Sequence, residues 1–113
     1  MTLPLFVYGS LRDPDVRTRV LGRHAGIITT LATLHGHIRQ TVPSFGYPFL
    51  VTAAPSDRVD GEIILGLTEA DYPRLDAYED VDEGLYVRAR VTVMTDAGPV
   101  DAWAYLRGPA APS

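Results

Sequence analysis

Cysteine is absent from the 113 residues, which excludes a disulfide framework, a thiolate nucleophile and a thiolate metal site. The chemistry open to the chain is that of oxygen and nitrogen. No apolar run approaches the ~20 residues that a bilayer-crossing helix needs, and the N-terminus carries no basic stretch ahead of an apolar one. A cytoplasmic location without membrane contact is expected. Basic residues are few and scattered, ten against fourteen acidic for a formal charge of −4, so the clusters that meet a phosphate backbone are missing. This argues against nucleic acid as a partner. It leaves a small anionic ligand open, because net charge does not describe a single pocket.

What is present suits a folded protein: 46% apolar and 21% charged residues, in a length that fits one domain over 1–113. No internal repeat or linker divides it. Leu3 to Tyr8 reads as a buried strand because the apolar run is short and stops at Gly9. Asp13 before Pro14 and Gly22 after Leu21 bracket a helix over 14–21. Extended structure is expected from Ile27 to Ile38, then a loop over Pro43–Pro48, then a short strand Phe49 to Val51. Val59 to Leu67 reads as a further strand, with Gly61 and Gly66 as bulges or points of close backbone approach.

A second helix is expected from Asp71, as its cap, to about Tyr78 or Glu79. Tyr72, Leu75 and Glu79 fall on one stripe of it and Asp76 on another. Leu85 to Val93 alternates with period two, Asp96 to Pro99 is turn text, and Val100 to Leu106 returns as the partner strand. Gly108 to Ser113 has little to pack and is expected to fray. The expected fold class is α+β, a small mixed β-barrel of about six strands with two short flanking helices.

Glu79 combines an apolar stripe with a position at the negative end of a helix dipole, and both raise a carboxylate pKa. Repulsion from Asp80, Asp82 and Glu83 acts in the same direction. Such a group is suited to taking and returning a proton near neutral pH. A solvated acid at a helix end is the plainer reading of the same residues. The turn Tyr8-Gly9-Ser10-Leu11 lies between a strand and a helix, where a glycine lets backbone amides approach a ligand. Ser10 is read as a hydrogen-bonding residue, since Val7 and Arg12 stand where a nucleophile elbow needs glycines. His35 and His37 would share a strand face, with His24 as a third candidate ligand, but no carboxylate or thiolate completes a site, and no metal is expected. Tyr86 and Tyr105 sit on the non-aliphatic faces of adjacent strands, either lining a pocket or covering the sheet. Arg88 and Arg90 share the Tyr86 face and are expected to pair at the surface.

Three segments together resemble the AIG2-like branch of the gamma-glutamylcyclotransferase family: Phe6-Val7-Tyr8-Gly9-Ser10-Leu11, Leu75-Asp76-Ala77-Tyr78-Glu79 and Tyr86-Val87-Arg88. Asp60-Gly61-Glu62 and Trp103-Ala104-Tyr105-Leu106 extend the resemblance over nearly the whole chain. It implies Glu79 as general acid/base, a substrate cradle formed by Tyr8, Gly9, Ser10 and Leu11, and Tyr86 in the same cavity. The implied reaction closes a gamma-glutamyl group to 5-oxoproline and frees the amine it carried, with no cofactor and with a small gamma-glutamyl amine or peptide as substrate. Many relatives place Gly after the catalytic Glu, whereas this chain has Asp80. The alternatives are a non-catalytic binding or regulatory protein on the same fold and a specialised deprotection enzyme in biosynthesis, because fold does not fix substrate.

Overall fold

β1, Leu5–Val7, is buried on both faces, and that double burial organises the molecule. In the computed structural model, which describes residues 2–43 and 45–112, Leu5 and Val7 face one hydrophobic cluster while Phe6 and Tyr8 face another. The second cluster fills a closed barrel of strand order β1-β5-β2-β6-β7. Its other members are β2 (Ile28–His35), β5 (Arg58–Leu65), β6 (Tyr86–Thr95) and β7 (Gly98–Arg107). All pairings are antiparallel except β1 with β7, which run parallel and set Leu5 opposite Trp103. Closure leaves the wall without a free edge.

The barrel is narrow, and small residues make room for large ones. Buried Ala32, Ala102 and Ala104 surround the stacked rings of Phe6 and Tyr8. The backbone of Val7 closes on Gly61, and that of Gly26 on Gly66, so a Cβ at either glycine would collide. Both glycines thus mark close backbone approaches, one of the two roles read from the sequence.

The other cluster lies outside the barrel wall, under the helices. α1, Pro14–Leu21, is capped by Asp13, whose side chain accepts from the Asp15 N–H, and ends at Gly22 in the left-handed conformation. It buries Leu21. α2, Tyr72–Tyr78, buries Tyr72 and Leu75. Asp71 stands at its N-cap position as expected but makes no side-chain cap bond to the helix; Thr68 caps a preceding 3-10 turn, and Asp71 reaches back to the Thr68 N–H at 2.8 Å. Asp71 is also paired with Arg23 at 2.6 Å. Burial alone would raise its pKa, but the hydrogen bonds from Thr68 and Arg23 prevail and hold it below the usual carboxylate value.

Three further expectations are corrected. The extended stretch from Ile27 to Ile38 breaks at Gly36 (φ 75°), so β3 (His37–Gln40) pairs instead with β4 (Phe49–Thr52) in a separate two-stranded sheet. His35 and His37 therefore do not share one strand face; the His37 Nδ1 lies 2.9 Å from the His35 carbonyl. In β6, Val87 is 42% exposed while Tyr86 is buried against Phe49, the two ring centroids 4.9 Å apart. Residues 108–112 are docked rather than frayed: the Gly108 N–H donates to the Leu85 carbonyl and the Ala110 N–H to the Gly84 carbonyl. Ser44 of the expected loop and Ser113 of the expected tail lie outside the described residues. No described helix is long and apolar enough to cross a membrane.

Candidate active site

The strand-to-helix turn after β1, the C-terminal end of α2 and the start of β6 converge on one cavity of about 290 Å³. Tyr8, Gly9, Ser10 and Leu11 line it from the first, Glu79 from the second and Tyr86 from the third. β1 delivers the turn because its ladder with β5 ends at Val7, freeing the backbone at Gly9. A single 3-10 turn, Ser10–Arg12, follows. Among the described residues, the N–H groups of Gly9, Ser10 and Leu11 meet no backbone acceptor, while their neighbours Arg12 and Asp13 donate to the Gly9 and Ser10 carbonyls. The Ser10 hydroxyl lies 2.8 Å from the Tyr78 hydroxyl, tying the turn to the end of α2 one residue before Glu79.

Glu79 is the last residue of the helical hydrogen-bond pattern, its N–H donating to the Leu75 carbonyl. Its pKa is pushed up to about 7, first by burial and then by the charge of Asp80. Asp80 has a φ of 52°, the left-handed region, and is the one described non-glycine residue there. The tyrosines around the carboxylate stay protonated. Burial raises the pKa of Tyr8 and Tyr86, and the Glu79 charge adds to both. Their hydroxyls are engaged: Tyr8 donates to the Tyr105 carbonyl at 2.6 Å and Tyr86 to the Pro48 carbonyl at 2.9 Å.

Asp76, read from the sequence as pointing away from this face, is part of the framework of the site. It accepts from the Tyr105 hydroxyl at 2.6 Å and pairs with Arg88 Nε at 3.2 Å. Arg88 is half-buried rather than at the surface, lying over the rings of Tyr72 and Trp103. Arg90 does pair at the surface, with Asp101. Phe45, Tyr47 and Pro48 of the 41–48 loop and Asp80 of the 80–84 turn also line the cavity. The place of these two segments as loops beside a rigid sheet marks them for leaving-group selectivity, while Tyr78 is a lining residue that sequence reasoning missed. Phe45 stacks on Phe49, and Phe49 lies tilted against Tyr86, with centroids 5.1 and 4.9 Å apart. Among the described residues, no three His, Cys, Asp or Glu side chains gather to hold a metal.

A family model described as gamma-glutamyl cyclotransferase, AIG2-like, matches residues 5–113. Protein AIG2 C and AIG2-like protein D of Arabidopsis thaliana are 36% and 37% identical over 90 residues, 80% of this chain in each case. Those alignments cover 51% and 55% of the two relatives, so the chain spans about half the length of the curated relatives it matches. A solution structure from Arabidopsis thaliana superposes with a TM-score of 0.80 at 29% identity, over 95% of this chain and 62% of that one. A structure named gamma-glutamyl cyclotransferase superposes at 0.75 with 21% identity, over 95% and 67%, a likeness of fold alone. The turn after β1, the acidic end of α2 and the start of β6 all fall inside the matched span, and on that match the chain belongs to the AIG2-like gamma-glutamyl cyclotransferase family.

Proposed function

We propose that the protein cyclises a gamma-glutamyl group to 5-oxoproline and releases the amine it carried, with Glu79 as general acid/base. The observation that carries this reading is a carboxylate with its pKa pushed up to about 7 in the same cavity as the open amides of the turn after β1. A free α-amine has a pKa of ~8. Proton transfer from the α-ammonium to Glu79 is therefore close to balanced, the condition under which a general base is efficient.

In the reaction, the freed α-amine attacks the side-chain carbonyl of its own glutamyl group. The new C–N bond closes a five-membered ring, the amide C–N bond breaks, Glu79 returns its proton to the departing nitrogen, and the second proton shed by the ring nitrogen passes to the released amine, which leaves as an ammonium. No redox change occurs and no co-reactant is consumed. Attack is intramolecular, so the cavity has to hold the substrate folded, an advantage of up to ~7–11 kcal/mol. Tyr8, Gly9, Ser10 and Leu11 do this through backbone amides on the glutamyl carboxylate or the developing oxyanion, and Tyr86 packs beside it.

The test is release of 5-oxoproline from a panel of gamma-glutamyl amines and amino acids, gamma-glutamyl-ε-lysine included, by wild type and Glu79→Gln. Release by wild type with a loss of at least a hundredfold in the variant is expected. Binding without product across the panel would instead identify a ligand-binding protein on this fold.

A further inference from the structure

Resting on that reaction, the amides of the turn after β1 have to meet an anion, the glutamyl carboxylate or the developing oxyanion, in a cavity whose charged lining is acidic. Glu79 and Asp80 line it, and among the described residues neither an arginine nor a histidine does. A cation nonetheless touches the turn from outside the cavity. Arg17, on α1 and half-buried, donates through Nη1 to the Leu11 carbonyl at 3.0 Å and to the Arg12 carbonyl at 2.8 Å. Arg12, Arg23, Arg88 and Arg90 pair with carboxylates, whereas among the described residues Arg17 pairs with none.

Where those two bonds lead follows from the covalent order of the backbone. A carbonyl and the N–H of the next residue belong to one conjugated peptide unit, so a hydrogen bond accepted by the carbonyl strengthens that N–H as a donor. The unit of the Leu11 carbonyl carries the Arg12 N–H, which donates to the Gly9 carbonyl at 3.0 Å, and the unit of the Gly9 carbonyl carries the Ser10 N–H. In parallel, the unit of the Arg12 carbonyl carries the Asp13 N–H, which donates to the Ser10 carbonyl at 3.0 Å, and the unit of the Ser10 carbonyl carries the Leu11 N–H. Two chains of hydrogen-bonded peptide units thus start on one guanidinium nitrogen and end on Ser10 and Leu11, residues of the cavity wall. Gly9 provides the contrast: its N–H belongs to the unit of the Tyr8 carbonyl, through which neither chain passes.

We infer that Arg17 is a positioning residue for the reaction: from outside the cavity it strengthens the Ser10 and Leu11 amides as donors to the anionic part of the substrate. Each bond in such a chain strengthens the next by about 10–30%, and a charged donor at its head forms a bond roughly twice as strong as a neutral one. The same placement keeps the cation out of the cavity, where it would favour the ionised form of Glu79 and weaken it as a base. Donors for an anion and a carboxylate that readily takes a proton can then share one cavity.

Backbone amide proton shifts of the ligand-free protein test the chains directly, in wild type, Arg17→Met and Arg17→Lys. With the donor removed, the Ser10 and Leu11 protons are expected to move upfield at least twice as far as that of Gly9, and lysine, which keeps the charge and the donors, is expected to return them toward wild type. Should Arg17→Met not fold, Arg17→Gln, which drops the charge on a shorter side chain, replaces it under the same criteria. Ser10 and Leu11 shifts that stay in place, or a Gly9 shift more than half as large as theirs, overturn the inference, the second because it marks displacement of the whole turn. In 5-oxoproline release, Arg17→Met is expected to lose at least tenfold in kcat/KM with the rising limb of the pH profile unmoved, and Arg17→Lys to lie within threefold of wild type. Full activity in Arg17→Met, a moved limb, or no recovery with lysine overturns the part assigned to Arg17 in the reaction. If wild type releases no 5-oxoproline, the proposed reaction fails, and the amide shifts alone decide whether Arg17 strengthens the donors of the turn.

Discussion

A carboxylate whose ionisation the folded state opposes lowers stability in a definite pH window. Glu79 is raised from 4.5 to about 7, so the folded protein holds this proton more tightly than the unfolded chain does. The penalty is absent below pH 4.5, grows as pH rises toward 7 and is complete above it. Glu79→Gln is therefore expected to stabilise the protein by on the order of 2 kcal/mol at pH 8 and to change little at pH 4, as thermal melts at the two pH values will show. Asp80 contributes in two separable ways. Its φ of 52° costs about 1 kcal/mol relative to glycine, and its charge raises the Glu79 pKa. Asp80→Gly is expected to add about 1 kcal/mol of stability in urea and to move the rising limb of the kcat/KM profile below pH 7. Asp80→Asn is expected to move the limb alone. The upward shift of Glu79 was legible from its stripe and its acidic neighbours. The left-handed backbone at Asp80 was not, because it follows from how α2 ends against β6.

Among elements, α2 has seven residues, too few to hold a helix in isolation, and it carries Glu79 at its end. Its position depends on β6 and β7 through Asp76, which joins Arg88 and the Tyr105 hydroxyl. Asp76→Ala leaves both partners short of an acceptor and is expected to cost about 2–3 kcal/mol, against about 1 for Tyr105→Phe, as urea unfolding will measure. Because Glu79 lies three residues beyond Asp76, Asp76→Ala is also expected to lower kcat by a larger factor than it raises KM. The exposed Arg90–Asp101 pair is the comparison: Arg90→Ala is expected to change stability by less than about 1 kcal/mol. Helix and strand bounds were largely readable because caps and alternation are local signals. Asp76 and Arg88 were misplaced because their partners are far apart in sequence and meet only when α2 packs on the hairpin.

At the scale of the whole molecule, the barrel is closed by one parallel pairing, β1 with β7, and by close packing around Gly61. A methyl at that position meets the Val7 carbonyl and the Phe6 ring. Gly61→Ala is expected to cost about 1–3 kcal/mol in urea and, because Val7 leads directly into the turn at Gly9, to reduce 5-oxoproline release as well. The same closure decides the fate of the chain end. Gly108 is buried against the Gly84–Leu85 backbone, where β6 begins, so residues 108–112 help to cover that side of the cavity strands.

By itself the sequence determined the class of fold, the caps of α1, the turn after β1 and the standing of Glu79 as an acid on an apolar stripe, since each depends on residues within a turn or a strand of one another. Only the tertiary structure decided that Tyr86 is buried where Val87 is not, that Asp76 anchors the helix carrying Glu79, and that an aromatic loop without a cation walls the cavity. The physical reason is range: propensity and periodicity act within a segment, whereas burial, ion pairing and the charge of a cavity arise only when distant segments share one space.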